Sequence, residues 1–293
     1  LTLAAVLLAM FLGQRYPMNW QLRDDAPQDK TIRAELLALG FPEQVLDDLT
    51  AEEVARMSGA VKVYAETEPL YEDDTYREVT TSVWNDDTPP RWHYIDAEKQ
   101  PDGSYHYTYR VYDFYEGFVT HVVVLVEEAD RQRAVVLHYA AIDRPSGDCL
   151  AEGMEIWPVW QGNEKEWSPG GWNSGRLLCE KDGQSYAADF YSVESGSYET
   201  TNIFGTTQNT GIIAEWSWMR RGENTRAYLL YDAEMLTPEL PSLYSWCNCA
   251  RQTKPVYPFR DALTLWHEWN TNGCYDKWQT SIQIWPPVEE ETE

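Results

Sequence analysis

Residues 105–126 read YHYTYRVYDFYEGFVTHVVVLV, and this stretch decides the fold class. Its first part alternates. Tyr105, Tyr107, Tyr109 and Val111 fall on one side, and His106, Thr108, Arg110 and Tyr112 on the other. A period of two marks an extended chain, because successive side chains of a strand point to opposite faces. One of those faces is broadly aromatic. Glu116-Gly117 then reads as a tight turn, and 118–126 is apolar on both sides, the pattern of a central, covered strand. Residues 133–142 supply the next strand, so an up-and-down meander is predicted.

Working outward, the same grammar returns. Residues 176–181, Asp182-Gly183 and 184–193 predict a hairpin, since Asp-Gly suits a type I′ turn. Ser195-Gly196 is expected to turn the chain into a strand over 198–204. Strands at 210–219 and 226–235 are expected to flank a turn at 221–224. A closing strand is expected over 281–285. Between them, Phe259, Ala262, Leu263 and Trp266 form a helical stripe, which predicts a helix near 259–270 that Asn272-Gly273 stops.

Upstream of the strands the period is 3.6. Asp29 or Thr31 can cap a first helix with Ile32, Leu36 and Leu39 on one face, and Gly40 ends it. Pro42 opens a second helix carrying Val45, Leu46 and Leu49. Thr50-Ala51-Glu52-Glu53 is a capping box for a third, short one. Such short helices bury little by themselves and are expected to dock on the β region or on a partner.

Residues 1–12, LTLAAVLLAMFL, are apolar on every side. A spanning helix needs about 20 such residues, so the run is expected to be the end of a transmembrane anchor or of a signal-peptide core. No A-x-A-like cleavage site follows it. Tyr16 and Trp20 stand where interfacial aromatics belong.

The predicted fold is therefore mainly β, with antiparallel meander sheets in sandwich-like or barrel-like lobes. The predicted division is an anchor or signal remnant at 1–13, a stalk with short helices at 14–60, a first β lobe at 61–160 and a second at 161–293. The bulk of the chain is expected outside the cytoplasm, at a cell membrane.

Composition narrows the function. Asp plus Glu number 48 against 23 Lys plus Arg, a net charge of −25. That field repels phosphate backbones and argues against nucleic acid as a partner. The five cysteines are too sparse for a disulfide scaffold. His267-Glu268 lacks the second histidine of a zincin, because Thr271 stands in its place, and 171–175 reads GWNSG rather than a nucleophile elbow. No motif calls for a cofactor.

Two side-chain sets merit attention. Trp157, Trp160, Trp167 and Trp172 crowd a Gly- and Pro-containing stretch between the two strand series. Four indoles can stack on sugar rings, with Gln161, Asn163 and Glu164 as hydrogen-bonding neighbours, or they can plug a lobe interface; packing is the commoner fate of such rings. Cys247, Cys249, His267 and Cys274 are soft donors of the kind zinc takes. Their spacing is poor for zinc, and a disulfide from Cys274 or plain buried thiols fits it better. The acidic clusters 72–74 and 85–87 match no EF-hand order and read as solvated turns. His121 and His138 lie within apolar runs and read as hydrogen-bonded core histidines.

The leading functional expectation is a membrane-tethered extracytoplasmic binding or interaction domain, with a glycan or another envelope protein as ligand. A hydrolase without a readable motif and an accessory subunit of a membrane complex are the alternatives.

Overall fold

The computed structural model describes residues 20–71, 76–82, 92–112, 115–128, 132–142, 151–157, 167–189, 192–202, 205–216, 223–237, 242–252 and 275–284. It is mainly β and antiparallel, with a few helices. In chain order the elements are β1 (Gln21–Leu22), α1 (Lys30–Ala38), α2 (Glu43–Asp48), α3 (Ala51–Ala55), β2 (Ala60–Tyr71), β3 (Tyr76–Thr81), β4 (Trp92–Lys99), β5 (Tyr105–Tyr112), β6 (Tyr115–Glu127), β7 (Gln132–Ile142) and β8 (Ala151–Trp157). They continue with β9 (Trp167–Lys181), β10 (Gln184–Ala188), β11 (Ser192–Asn202), β12 (Gly205–Trp216), β13 (Glu223–Met235), β14 (Leu243–Gln252) and β15 (Tyr275–Ile284).

The strands form a seven-stranded sheet ordered β1-β10-β9-β13-β7-β6-β2, a five-stranded sheet β11-β12-β8-β14-β15 and a three-stranded sheet β3-β5-β4. The central sheet draws its strands from both 61–160 and 161–293. The seven-stranded sheet takes β2, β6 and β7 from one half of the chain and β9, β10 and β13 from the other, with β13 bonded to both β7 and β9. The physical reason is burial. β6, β7 and β13 are apolar on both faces, so each is stable only in the middle of a covered sheet.

That sheet is the central layer. On one face, Val122, Val124, Val135, Leu137, Tyr139, Leu178, Tyr228 and Leu230 receive Leu36, Phe41, Val45, Leu46, Leu49, Val54 and Met57 from the helical segment. On the other, Val119, Val123, Val136, Leu229 and Tyr231 pack with Leu243 and Cys247 of β14 and Ile282 and Ile284 of β15. Each fully buried aliphatic side chain contributes about 1.5–3 kcal/mol, so the helices gain from the sheet the burial they lack alone.

Local signals were obeyed where they were strong. Asp29 caps α1, its Oδ1 accepting from the Thr31 and Ile32 amides at 2.8 and 3.1 Å. Thr50 and Glu53 close the capping box of α3. Asp182 and Gly183 turn β9 into β10 with φ of 52° and 73°, the two left-handed residues of a type I′ turn.

Three expected turns are corrected. Gly117 lies inside β6, paired with Leu70 on one side and Ile142 on the other, so the meander breaks before it: β5 belongs to the three-stranded sheet. Ser195 and Gly196 sit within β11, whose ladder with β12 runs through to Asn202↔Gly205. β12 and β13 are not a hairpin but lie in different sheets. At Gly117 two satisfied backbone ladders, and at Ser195 and Gly196 the single ladder of edge strand β11, outweighed a weak local turn preference. The helix expected near 259–270 lies outside the described residues.

Candidate functional site

The three-stranded sheet grows out of the central one. The β2–β6 ladder ends at Tyr71↔Tyr115, and the β3–β5 ladder takes over at Tyr76↔Tyr112. β4 pairs with β5 as far as Lys99↔Tyr105, where a tight turn closes the tip. In that turn Gly103 has φ of 89° and its amide donates to the Gln100 carbonyl, while Asp102 Oδ1 accepts from the Ser104 amide at 3.0 Å.

The faces of this sheet differ. Glu78, Thr80, Asp96, Glu98 and His106 are all exposed. Tyr105, Tyr107 and Tyr109, at i, i+2 and i+4 of β5, share a face. Their burial changes along the strand: Tyr105 at the tip is 43% exposed, Tyr107 half-buried and Tyr109 buried. The Tyr105 and Tyr107 rings lie within 24° of parallel with centroids 6.3 Å apart. Lys99 stands opposite Tyr105, and Thr81 and Ala97 opposite Tyr107. An exposed ring stacked on a half-buried one and bordered by an ammonium can hold a ligand with apolar faces and polar edges.

A second constellation lies inside the sandwich. Tyr231 Oη and Ser245 Oγ are 3.0 Å apart, Ser245 Oγ and His138 Nε2 2.8 Å, and the Nδ1 atoms of His138 and His121 2.5 Å. His121 Nε2 is 3.7 Å from Glu68 Oε1, which also accepts the Ser281 amide at 3.2 Å. Serine, histidine and carboxylate are the parts of an acyl-transfer site, but Ser245, His138 and His121 have no exposed surface. A nucleophile sealed in a core meets no substrate, so this group ties the sheets together. Burial holds His121 neutral down to about 3, and burial with the neighbouring ring lowers His138 as well.

The opposite face carries a polar clasp between the helical segment and the sheet. Asp48 accepts from Tyr139 Oη at 2.7 Å, Arg226 Nε at 2.6 Å and Arg23 Nη1 at 2.8 Å. Glu53, besides capping α3, accepts from Ser174 Oγ at 2.6 Å and Tyr228 Oη at 2.8 Å. Arg176 grips Asp25 with both terminal nitrogens.

The residues singled out by sequence fall in different places. Trp167 is buried, its Nε1 donating to the Ser242 carbonyl at 3.1 Å. Trp172 is half-buried under the Arg56 guanidinium, 5.4 Å from its ring centre. Trp157 ends β8, its side chain outside the described residues, as is Trp160. Cys247 is buried against the central sheet. Cys249 follows on β14 with its side chain undescribed, and His267 and Cys274 lie outside the described residues, as do both acidic clusters. Among the described residues no three His, Cys, Asp or Glu side chains are placed to hold a metal ion, and no helix is long and apolar enough to cross a membrane. Residues 1–13 are not among them. The Tyr105–Tyr107 pair was visible in the alternation of β5, whereas Glu68, Ser245 and Tyr231 come from separate segments and left no local signal.

No family model matches the chain. No curated protein matches it either. Among solved structures, it is similar to one described as manganese lipoxygenase of Gaeumannomyces graminis with part of the zonadhesin of Komagataella pastoris, at 8% identity over 77% of this chain and 86% of that one, TM-score 0.29. It is also similar to the collagen adhesin of S. aureus, at 10% identity over 78% of this chain and 81% of that one, TM-score 0.24. Neither likeness bears on function.

Proposed function

We propose that the protein is an extracytoplasmic binding domain, tethered to a membrane through residues 1–13, that holds a glycan on the aromatic face of its three-stranded sheet. The observation that carries this reading is the Tyr105–Tyr107 pair: near-parallel rings at the turn end of β5, with Tyr105 exposed. Pyranose rings offer C–H faces that stack on aromatic rings and hydroxyls that bond to a polar border, and the exposed Lys99 opposite Tyr105 supplies such a border. The net charge of −25 argues against nucleic acid.

The alternatives have less behind them. A serine hydrolase built on Ser245 and His138 would need both open to substrate, and they are sealed. An accessory subunit would need a spare apolar face on the helical segment, and Leu36, Val45, Leu46 and Val54 already face the sheet.

The test is titration calorimetry of the folded chain with two probes, chitohexaose and cellohexaose. Binding of either is expected, weakened about tenfold by Tyr105→Ala or Tyr107→Ala, since one stacked ring is worth about 1.4 kcal/mol. Binding indifferent to both substitutions would move the site elsewhere. No binding of either probe, together with capture of an envelope protein that Tyr105→Ala abolishes, would replace the glycan by a protein ligand.

A further inference from the structure

The two faces of the central sheet are held by groups of opposite acid behaviour. The helical face is fastened by ionised carboxylates on arginines, and these bonds last until the carboxylates take protons. Asp25, hydrogen-bonded by Arg176 and Arg23, stays ionised down to about 2. The sandwich face is fastened by neutral imidazoles. At 2.5 Å the two Nδ1 atoms of His121 and His138 hold one proton between them. A first added proton puts a cation into a sealed interior. A second sets two N–H groups against each other.

We infer that the His121–His138 pair is an acid-sensitive latch, whose protonation parts the β14–β15 layer from the central sheet while the helical segment stays docked. The latch spans the layers because His138 Nε2 bonds Ser245 of β14, and Glu68, facing His121, accepts the Ser281 amide of β15.

The titratable groups that face the pair can be named element by element. β2 brings Glu68 at 3.7 Å and Glu66, paired with His121. β13 brings Tyr231, whose burial raises it well above 10.0. β14 brings the buried Cys247, and β15 brings no ionisable side chain among its described ones. Among the described residues Glu68, 3.7 Å from His121 Nε2, is placed to offset a charge there. Burial raises it above 4.5, so acid neutralises it as well. His138 faces no carboxylate among these.

Opening exposes both rings to water, where imidazole takes its proton near 6.5. Each ring then favours the open form about tenfold per pH unit below that value, or about a hundredfold by pH ~4.5. Stability is thus complete above 6.5 and lost as pH falls toward about 3, the value for His121.

Native-state hydrogen exchange on the whole chain tests this, with rates corrected for intrinsic pH dependence, at about pH 7 and about pH 4.5. The amides of β14 and β15 are expected to lose protection by a hundredfold or more, while those of α1–α3 change by less than about threefold. A His121→Leu/His138→Leu variant is expected to abolish the difference. Equal loss in both layers, or no loss, would overturn the latch. So would a folded double variant that still opens in acid. If the double variant does not fold, the wild-type pattern decides.

Discussion

Arg176 on β9 grips Asp25 from the segment before α1 in a two-bonded fork, Nη1 to Oδ1 at 2.7 Å and Nη2 to Oδ2 at 2.6 Å. The pair joins residues far apart in sequence and seats the segment that leads into the helices on the sheet. The bonds from Arg176 hold the carboxyl at about 2, against an ordinary 3.8.

A depressed carboxylate stabilises the fold above its unfolded value and loses that contribution as pH falls through the folded one. Asp25→Asn is therefore expected to lower stability at neutral pH by up to about 2 kcal/mol, and to match the wild type once pH falls below about 2. Urea unfolding at a series of pH values measures the convergence. A constant gap down to pH ~2 would assign the effect to packing instead.

Asp48 is the hub of the clasp, and its loss removes an acceptor shared by Tyr139, Arg226 and Arg23. Asp48→Ala leaves Arg226 and Tyr139 without their shared acceptor, while Arg226 keeps Glu180 and the Asn224 carbonyl, a change expected to cost about 2–4 kcal/mol. Arg23→Ala removes one partner of several and is expected to cost about 1 kcal/mol. Denaturant midpoints compare the two, and similar costs would show that Asp48 is not central.

Gly59 and Gly183 separate backbone strain from collision. Both are left-handed, with φ of 80° and 73°. A Cβ on Gly59 would meet the Glu127 carbonyl at 3.1 Å, whereas one on Gly183 meets nothing within 4 Å. Gly183→Ala is expected to cost about 1–2 kcal/mol for conformation alone, and Gly59→Ala more. Thermal unfolding of the two variants gives the order directly.

The charge of Glu68 orders the histidine tautomers at neutral pH. The charge of an ionised Glu68, 3.7 Å away and too far to hydrogen-bond, favours the proton on His121 Nε2; His121 Nδ1 then accepts from His138 Nδ1–H, and the bare His138 Nε2 accepts the Ser245 hydroxyl. Long-range ¹H–¹⁵N spectra are expected to show the proton on Nε2 of His121 and on Nδ1 of His138. The opposite pair of tautomers would mean that Glu68 is protonated at that pH.

The sequence by itself determined the class of structure and its local punctuation. Two-residue alternation specified β5, unbroken apolar runs specified β6 and β7, and Asp29, the Thr50–Glu53 box and Asp182-Gly183 placed caps and a turn. These are interactions within a few residues, where geometry leaves little choice. Only the tertiary structure decided which strands pair, that Gly117 and Gly196 are not turns, and that β13 lies between β7 and β9. It alone joined the buried His121, His138, Ser245 and Tyr231 into one line that ends at the half-buried Glu68. Strand order is settled by which faces must leave water, a property of the whole chain. A polar side chain in an apolar run finds its partner from whatever strand that burial brings beside it.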